Sequence, residues 1–345
     1  MLNKVVLNPL TNQKQMKKIV VDPFIDTESG YPVKSNARII SIVSAMMQKR
    51  FAVAGELIPE NLDVSEYVLD GMVSIENGEG QGEGRYRVTA TVFEKDSGKV
   101  LAAAVVFVRN FDTTPLDLYK DSPVFTKGKS YEQFTASVRK QPNENVDQQY
   151  HDRLKLKALM VKGDRCYEQK EFKKSLSYYN QVADRPTGDR MEVYNGQFTN
   201  LVKEGETDKA EVVFSKLAHA SIAETSQISN KITFSPNAKS PVESKKRIYN
   251  IYIRQIAKLV AESPGCKVKI IGHCSRSGTS GYNDKLSLQR AQWVLGQMIN
   301  YAPEIREKST TLGRGFRENL VGTGADNVTD EIDRRVEFVF DACGS

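Results

Sequence analysis

Between Cys266 and Ile299 the chain has few shapes open to it. Cys266-Lys-Val-Lys-Ile-Ile271 is β-rich. It runs into Gly272-His-Cys-Ser-Arg-Ser-Gly-Thr-Ser-Gly-Tyr-Asn-Asp-Lys-Leu-Ser-Leu-Gln-Arg290-Ala291, and Trp293-Val-Leu-Gly-Gln-Met-Ile299 beyond it is helical. The order is therefore strand, small-residue loop, helix. A loop of Gly and Ser brings N–H groups and hydroxyls close to a ligand, and the helix N-terminus adds positive potential. Arg290 lies about one turn inside the helix, where its fork can turn back toward the loop. Such a set of donors backed by a guanidinium suits a small carboxylate.

These residues resemble the OmpA-like domain, a periplasmic module that grips peptidoglycan. Its pattern is roughly G-[HY]-T-D-x-x-G-x-x-x-Y-N-x-x-L-S-x-x-R-A. Gly272, His273, Gly278, Tyr282, Asn283, Leu286, Ser287, Arg290 and Ala291 fit it without a gap. Leu312-Gly-Arg-Gly-Phe316 and Asp333-Arg-Arg-Val-Glu-Phe338 look like its last two strands, so the resemblance covers about residues 231–342. The departure lies at Cys274-Ser275, where the family has Thr-Asp.

The resemblance implies a ligand, the diaminopimelate of the peptidoglycan stem peptide. The family's Arg holds its carboxylate and the family's Asp its ammonium. By position Arg290 keeps the first role, and Ser275 occupies the second without charge. In the expected first strand, Lys231 to Asn237, Ser235 stands where an acid is common, and Asn237 remains as an acceptor. Thr279, Asn283, Arg276 and Leu286 complete the implied binding set. A hydrogen bond to a charged group contributes roughly 1.5–3 kcal/mol, so removing one charge weakens the grip. Two readings stay open: the domain still binds wall, or the fold survives as a packing unit. Arg334 and Arg335 point to opposite faces of a final strand, where pairing with helix carboxylates accounts for them.

The 345 residues suggest two or three domains, and the 39% apolar content is that of an ordinary globular chain. No apolar run approaches the roughly 18 residues a membrane span needs. The net charge of +6, from 49 basic and 43 acidic residues, is spread out. A nucleic-acid surface would cluster Lys and Arg with aromatics, so no nucleic-acid partner is expected. Met1-Leu-Asn-Lys-Val-Val-Leu has no signal-peptide core. The resemblance implies the periplasm and an association with the outer membrane. The two agree if an export signal, together with a lipid-anchored lipobox cysteine preceding residue 2, has been removed. Membrane contact would then run only through that anchor.

Cys166, Cys266, Cys274 and Cys343 have spacings of 100, 8 and 69, which match no zinc pattern. In OmpA-like sheets the strand after Cys266 and the strand before Cys343 are antiparallel neighbours. The resemblance therefore allows a Cys266–Cys343 disulfide in an oxidising compartment. His151, His219 and His273 form no constellation, and Cys274 reads as a small residue replacing Thr. No metal, cofactor or catalytic residue is expected.

The fold class expected is α/β multidomain. Residues 1–110 read as a small α/β interaction domain: a helix from Asn36 to about Arg50, then an antiparallel meander over 67–75, 85–93 and 100–108. Tyr67-Val-Leu-Asp-Gly-Met-Val, Tyr86-Arg-Val-Thr-Ala-Thr-Val and Asp96-Ser-Gly-Lys-Val-Leu loosely resemble the small domain of the curli-secretion lipoprotein, FlgO-type flagellar lipoproteins and lipoprotein activators of penicillin-binding proteins. The Met46-Met47 pair reads as core. Residues 111–153, with Pro115, Pro123 and Pro142, read as a linker. Over 154–225, Ser175, Tyr179 and Val182 recur 35 residues on as Ala210, Phe214 and Leu217, and Gly163 sits twelve before Ser175. This resembles a pair of tetratricopeptide repeats. Residues 228–345 read as the OmpA-like α/β sandwich. The function expected is a non-catalytic envelope scaffold anchoring a partner to peptidoglycan. The alternative is a structural subunit of a secretion or flagellar ring whose OmpA-like domain only packs against neighbours.

Overall fold

The computed structural model describes residues 17–47, 51–76, 85–109, 111–124, 127–185, 190–319, 330 and 333–343. The side chains of Met46 and Met47 and the expected helix end at Arg50 lie outside the described residues. The chain divides into two compact units: Met1–Lys120 with Lys129–Asp189, and Asp121–Gly128 with Arg190–Ser345. Among the described residues no helix is long and apolar enough to cross a membrane.

The first unit opens with β1 (Lys17–Val21), β2 (Ile25–Asp26), α1 (Asn36–Met47), β3 (Phe51–Glu56) and α2 (Pro59–Asp63). The meander β4 (Tyr67–Glu76), β5 (Arg85–Glu94) and β6 (Val100–Arg109) follows. The sheet order is β3-β1-β4-β5-β6, with β2 beside β4. The meander is antiparallel, whereas β1 pairs in parallel with both β3 and β4. Period-2 alternation sends the strands' apolar residues to two faces. Ile19, Val21, Tyr67 and Leu69 join Val43 of α1 in one core. Val20, Val68, Phe93 and Val100 belong to a second core on the other face.

That second core includes residues from the stretch expected as a linker. Residues 111–153 instead form α3 (Asp117–Asp121), α4 (Lys129–Val138) and α5 (Gln148–Asp152). Phe134, Val138, Val146 and Tyr150 are buried there. The three prolines mislead because each falls outside a helix, where a missing N–H breaks no helical bond. Next comes the hairpin α6 (Leu154–Glu168) and α7 (Phe172–Ala183). A Cβ on Gly163 would lie 3.0 Å from the Tyr179 ring, so the glycine makes room for the aromatic. Ser175, Tyr179 and Val182 are at most 1% exposed. The Tyr179 hydroxyl donates to Asp164, and the Tyr119 hydroxyl donates to the other oxygen at 2.9 Å. Burial nevertheless raises the Asp164 carboxyl to about 7.

The second unit contains α8 (Arg190–Lys203), α9 (Thr207–Thr225), β7 (Gln227–Asn230), α10 (Lys246–Glu262), β8 (Lys267–Gly272), α11 (Ser280–Tyr301), β9 (Ser309–Gly313) and β10 (Val336–Asp341). Ala210, Phe214 and Leu217 are fully buried. Phe214 stacks on Tyr252 of α10 with ring centroids 4.7 Å apart, and Phe198 of α8 lies 5.7 Å from Phe214. Glu211 of α9 accepts from both Nε and Nη2 of Arg254 of α10, a bidentate pair along one guanidinium edge. The sheet order is β7-β10-β8-β9, antiparallel except for β8 with β9. The first strand is β7, upstream of the Lys231–Asn237 run read as a strand. Lys231 to Phe234 are buried without strand pairing. The chain also enters its expected final strand late, since Arg334 and Arg335 precede β10.

Asp164 ties stability to pH. The unfolded chain loses this proton near the usual carboxyl value, about 4, whereas the folded chain keeps it to about 7. Between those values the folded state holds the extra proton, so stability falls as pH rises. Asp164→Asn should flatten that slope by up to about 1.4 kcal/mol per pH unit, read from urea midpoints across the window.

Candidate functional site

The loop begins where α11 meets two strand ends. Gly272 of β8 and Gly313 of β9 are register partners. A Cβ on Gly272 would lie 1.9 Å from the Ser287 carbonyl oxygen of α11, and one on Gly313 would lie 2.5 Å from the Asp284 carbonyl oxygen. No side chain fits at either place, so helix backbone rests on strand backbone. Ser287 is fully buried in this contact, and its hydroxyl accepts the Gly315 N–H at 2.9 Å. From there the chain is held step by step. His273 N–H donates to the Arg335 carbonyl at 3.0 Å, and Cys274 N–H to Gly315 at 2.7 Å. Gly278 takes φ +88°, a backbone region open to glycine. Thr279 caps α11 by accepting the Tyr282 N–H at 3.4 Å.

The expected binding residues divide into those that build the loop and those that face outward. Arg290 builds. It is 1% exposed. Its Nε donates to the Ala238 carbonyl at 3.0 Å, Nη1 to His273 at 3.0 Å and Nη2 to Ser235 at 3.2 Å. Its guanidinium also lies 4.9 Å from the Phe234 ring centroid. The fork does turn back toward the loop, but it grips backbone carbonyls of the protein itself. Asn283 is 3% exposed, and its amide donates to Ser277 at 2.7 Å and Thr279 at 3.2 Å. Leu286 is a core side chain at 4% exposure. Ser275 is buried too, with its hydroxyl 3.5 Å from that of Ser277. Arg276, Thr279 and Asn237 face solvent. Asn237, at φ +59°, accepts from the Tyr282 hydroxyl at 3.1 Å.

A second cluster, which sequence reading misses, surrounds His273. This side chain is 1% exposed. Its Nε2 lies 3.3 Å from Oε2 of Glu337, and its Nδ1 lies 3.9 Å from Oε2 of Glu318. Each carboxylate's other oxygen is held by an arginine. Arg335 reaches Oε1 of Glu337 at 2.7 Å, and Arg314 reaches Oε1 of Glu318 at 3.3 Å. Burial opposes the Glu337 charge, but His273 and Arg335 prevail and hold its carboxyl at about 2. Arg335 thus pairs within the sheet, not with a helix carboxylate, and Arg334 Nε donates to the Phe234 carbonyl at 2.9 Å. The partners of His273 lie 45 and 64 residues downstream, beyond any local spacing rule. At the sheet's far end Cys266 and Cys343 form a disulfide, with Cα atoms 4.5 Å apart. Cys166 and Cys274 are buried and lie outside the disulfide.

Comparison with known proteins places one part of the chain. Residues 220–331 match the model of the OmpA family. No curated protein matches the chain. Among solved structures, the peptidoglycan-associated lipoprotein of Burkholderia pseudomallei is 21% identical over 32% of this chain and 88% of its own, with a TM-score of 0.29. The OmpA-like domain of FopA1 from Francisella tularensis is 24% identical over 33% of this chain and 72% of its own, with a TM-score of 0.28. The C-terminal domain of Helicobacter pylori MotB is 18% identical over 32% of this chain and 82% of its own, with a TM-score of 0.27. The glycine-paired strand ends, the loop and the long helix that follows all fall inside residues 220–331, the stretch that matches the OmpA family model.

Proposed function

We propose that this protein is a non-catalytic cell-envelope scaffold that associates with peptidoglycan through residues 220–331. The observation that carries the proposal is the Gly272–Ala291 loop, inside a segment that matches the OmpA family. The ligand is the stem peptide with its diaminopimelate. Arg290 is a positioning residue: it fixes Ser235, Ala238 and His273 around the loop. The outward groups, Asn237, Arg276 and Thr279, meet the ligand, with Ser275 at the loop's base. The first unit and the helical hairpins hold a partner, and the compartment is the periplasm beside the outer membrane. The hairpins work as tetratricopeptide-like spacers.

One observation favours a second reading. Arg290 already bonds three carbonyls and is closed from solvent, which suits a domain that packs within an envelope assembly, such as a secretion or flagellar ring, without gripping wall.

Sedimentation with purified sacculi separates the two. Wild-type protein should co-sediment weakly. Ser275→Asp, which restores an acid opposite the ammonium, should tighten binding roughly tenfold or more. If neither protein sediments, the second reading holds. Arg290→Ala should lower the urea midpoint by a stability loss of about 3 kcal/mol or more, because three buried carbonyls lose a charged donor.

A further inference from the structure

We propose that His273, Glu318 and Glu337 form a site for a single divalent transition ion, with Zn²⁺ as the best match. The three donor atoms lie within 4.8 Å of one another. The imidazole is buried, and neither ring nitrogen makes a hydrogen bond. A neutral imidazole carries one N–H, so one of its nitrogens would turn a lone pair toward a carboxylate. A cation between the ring and the carboxylates removes that repulsion.

The distances favour the cation. A charge-assisted N–H···O bond closes to about 2.7–2.9 Å and is well aligned. Here Nε2 and Oε2 of Glu337 stand 3.3 Å apart without that alignment. Zinc binds imidazole nitrogen and carboxylate oxygen at about 2.0–2.2 Å in a tetrahedron, which puts neighbouring ligand atoms about 3.3–3.5 Å apart. Glu318 supplies the third ligand. Its Oε2 lies 3.9 Å from Nδ1, the other ring nitrogen, and its side chain is 47% exposed, so ligation of an ion on Nε2 requires this carboxylate to turn toward that nitrogen. Water takes the fourth position.

The arginines fit a supporting role. Arg335 and Arg314 each occupy the Oε1 of one carboxylate and leave Oε2 directed at His273. Ligating carboxylates are commonly oriented by such outer hydrogen bonds. Imidazole with two carboxylates is a borderline donor set that suits Zn²⁺ over Ca²⁺ or Mg²⁺. The bound ion would tie the end of β8 to β10 and to the turn after β9, at the first residue of the loop.

The test is calorimetric titration of the full chain with Zn²⁺ alone, its disulfide intact, alongside Co²⁺ absorption as a reporter of tetrahedral ligation. One ion per chain is expected. His273→Ala, Glu318→Gln and Glu337→Gln should each weaken binding by roughly 100-fold or more. Glu318→Gln removes only a partly exposed ligand, so it keeps the test sound if His273→Ala fails to fold. Cys274→Ala should leave binding intact. The proposal is overturned if wild type takes up no ion. Binding that survives Glu318→Gln and Glu337→Gln but disappears in Cys274→Ala overturns it equally, by placing the ion on the thiol.

Discussion

Helix α11 lies so near β8 and β9 that its own carbonyl oxygens occupy the space where side chains would otherwise stand. Two facing glycines, Gly272 and Gly313, make that approach available, and a methyl group at either would meet backbone that cannot step aside. Everything at the loop follows from this contact. The depth of α11 buries Ser287 against Gly315, and it brings Arg290 level with the carbonyls of Ser235, Ala238 and His273. The loop is therefore a consequence of how closely the helix sits, and its outward residues take positions set by groups that no ligand touches.

Both units bury charge, and they handle it differently. In the first, Asp22 lies one step beyond the paired Val21 and Leu69, beside Asp70. Burial raises both carboxyls, Asp70 well above its usual range, even though Lys157 and Tyr150 bond Asp22. The cost of desolvation stays largely uncompensated there. In the second, Arg290 meets carbonyls and Glu337 meets Arg335 and His273, so the charged forms are kept. The first unit thus favours a protonated interior, and the second an ionised one next to its loop.

Much of the second unit is legible in the sequence because its constraint is local. Gly272, Ser287 and Arg290 lie within nineteen residues, and their spacing encodes the strand, the turn and the depth of the helix. The meander shows equally well, since Tyr86, Val88, Ala90 and Val92 alternate within a single strand. What stays hidden is long-range. The parallel pairing of β1 with β3 joins two runs of five and six residues whose apolar character is too brief to stand out. The helices of 111–153 are masked by prolines that sit outside their ends. The direction of the Arg290 fork depends on carbonyls 52 to 55 residues upstream. His273 is visible as a motif position, but its carboxylate neighbours come from β10 and from the turn after β9.

The chain passes between the two compact units three times, because Asp121–Gly128 belongs with Arg190–Ser345 while the sequence on either side belongs to the first unit. That short excursion is anchored: Lys231 N–H donates to Pro123, Val124 bridges Asn230, and Asp121 pairs with Lys203 at 2.8 Å. To a protease this matters. Two domains joined by one thread come apart when the thread is cut. Here the chain crosses three times, so a single cut at any crossing leaves the units joined through the other two.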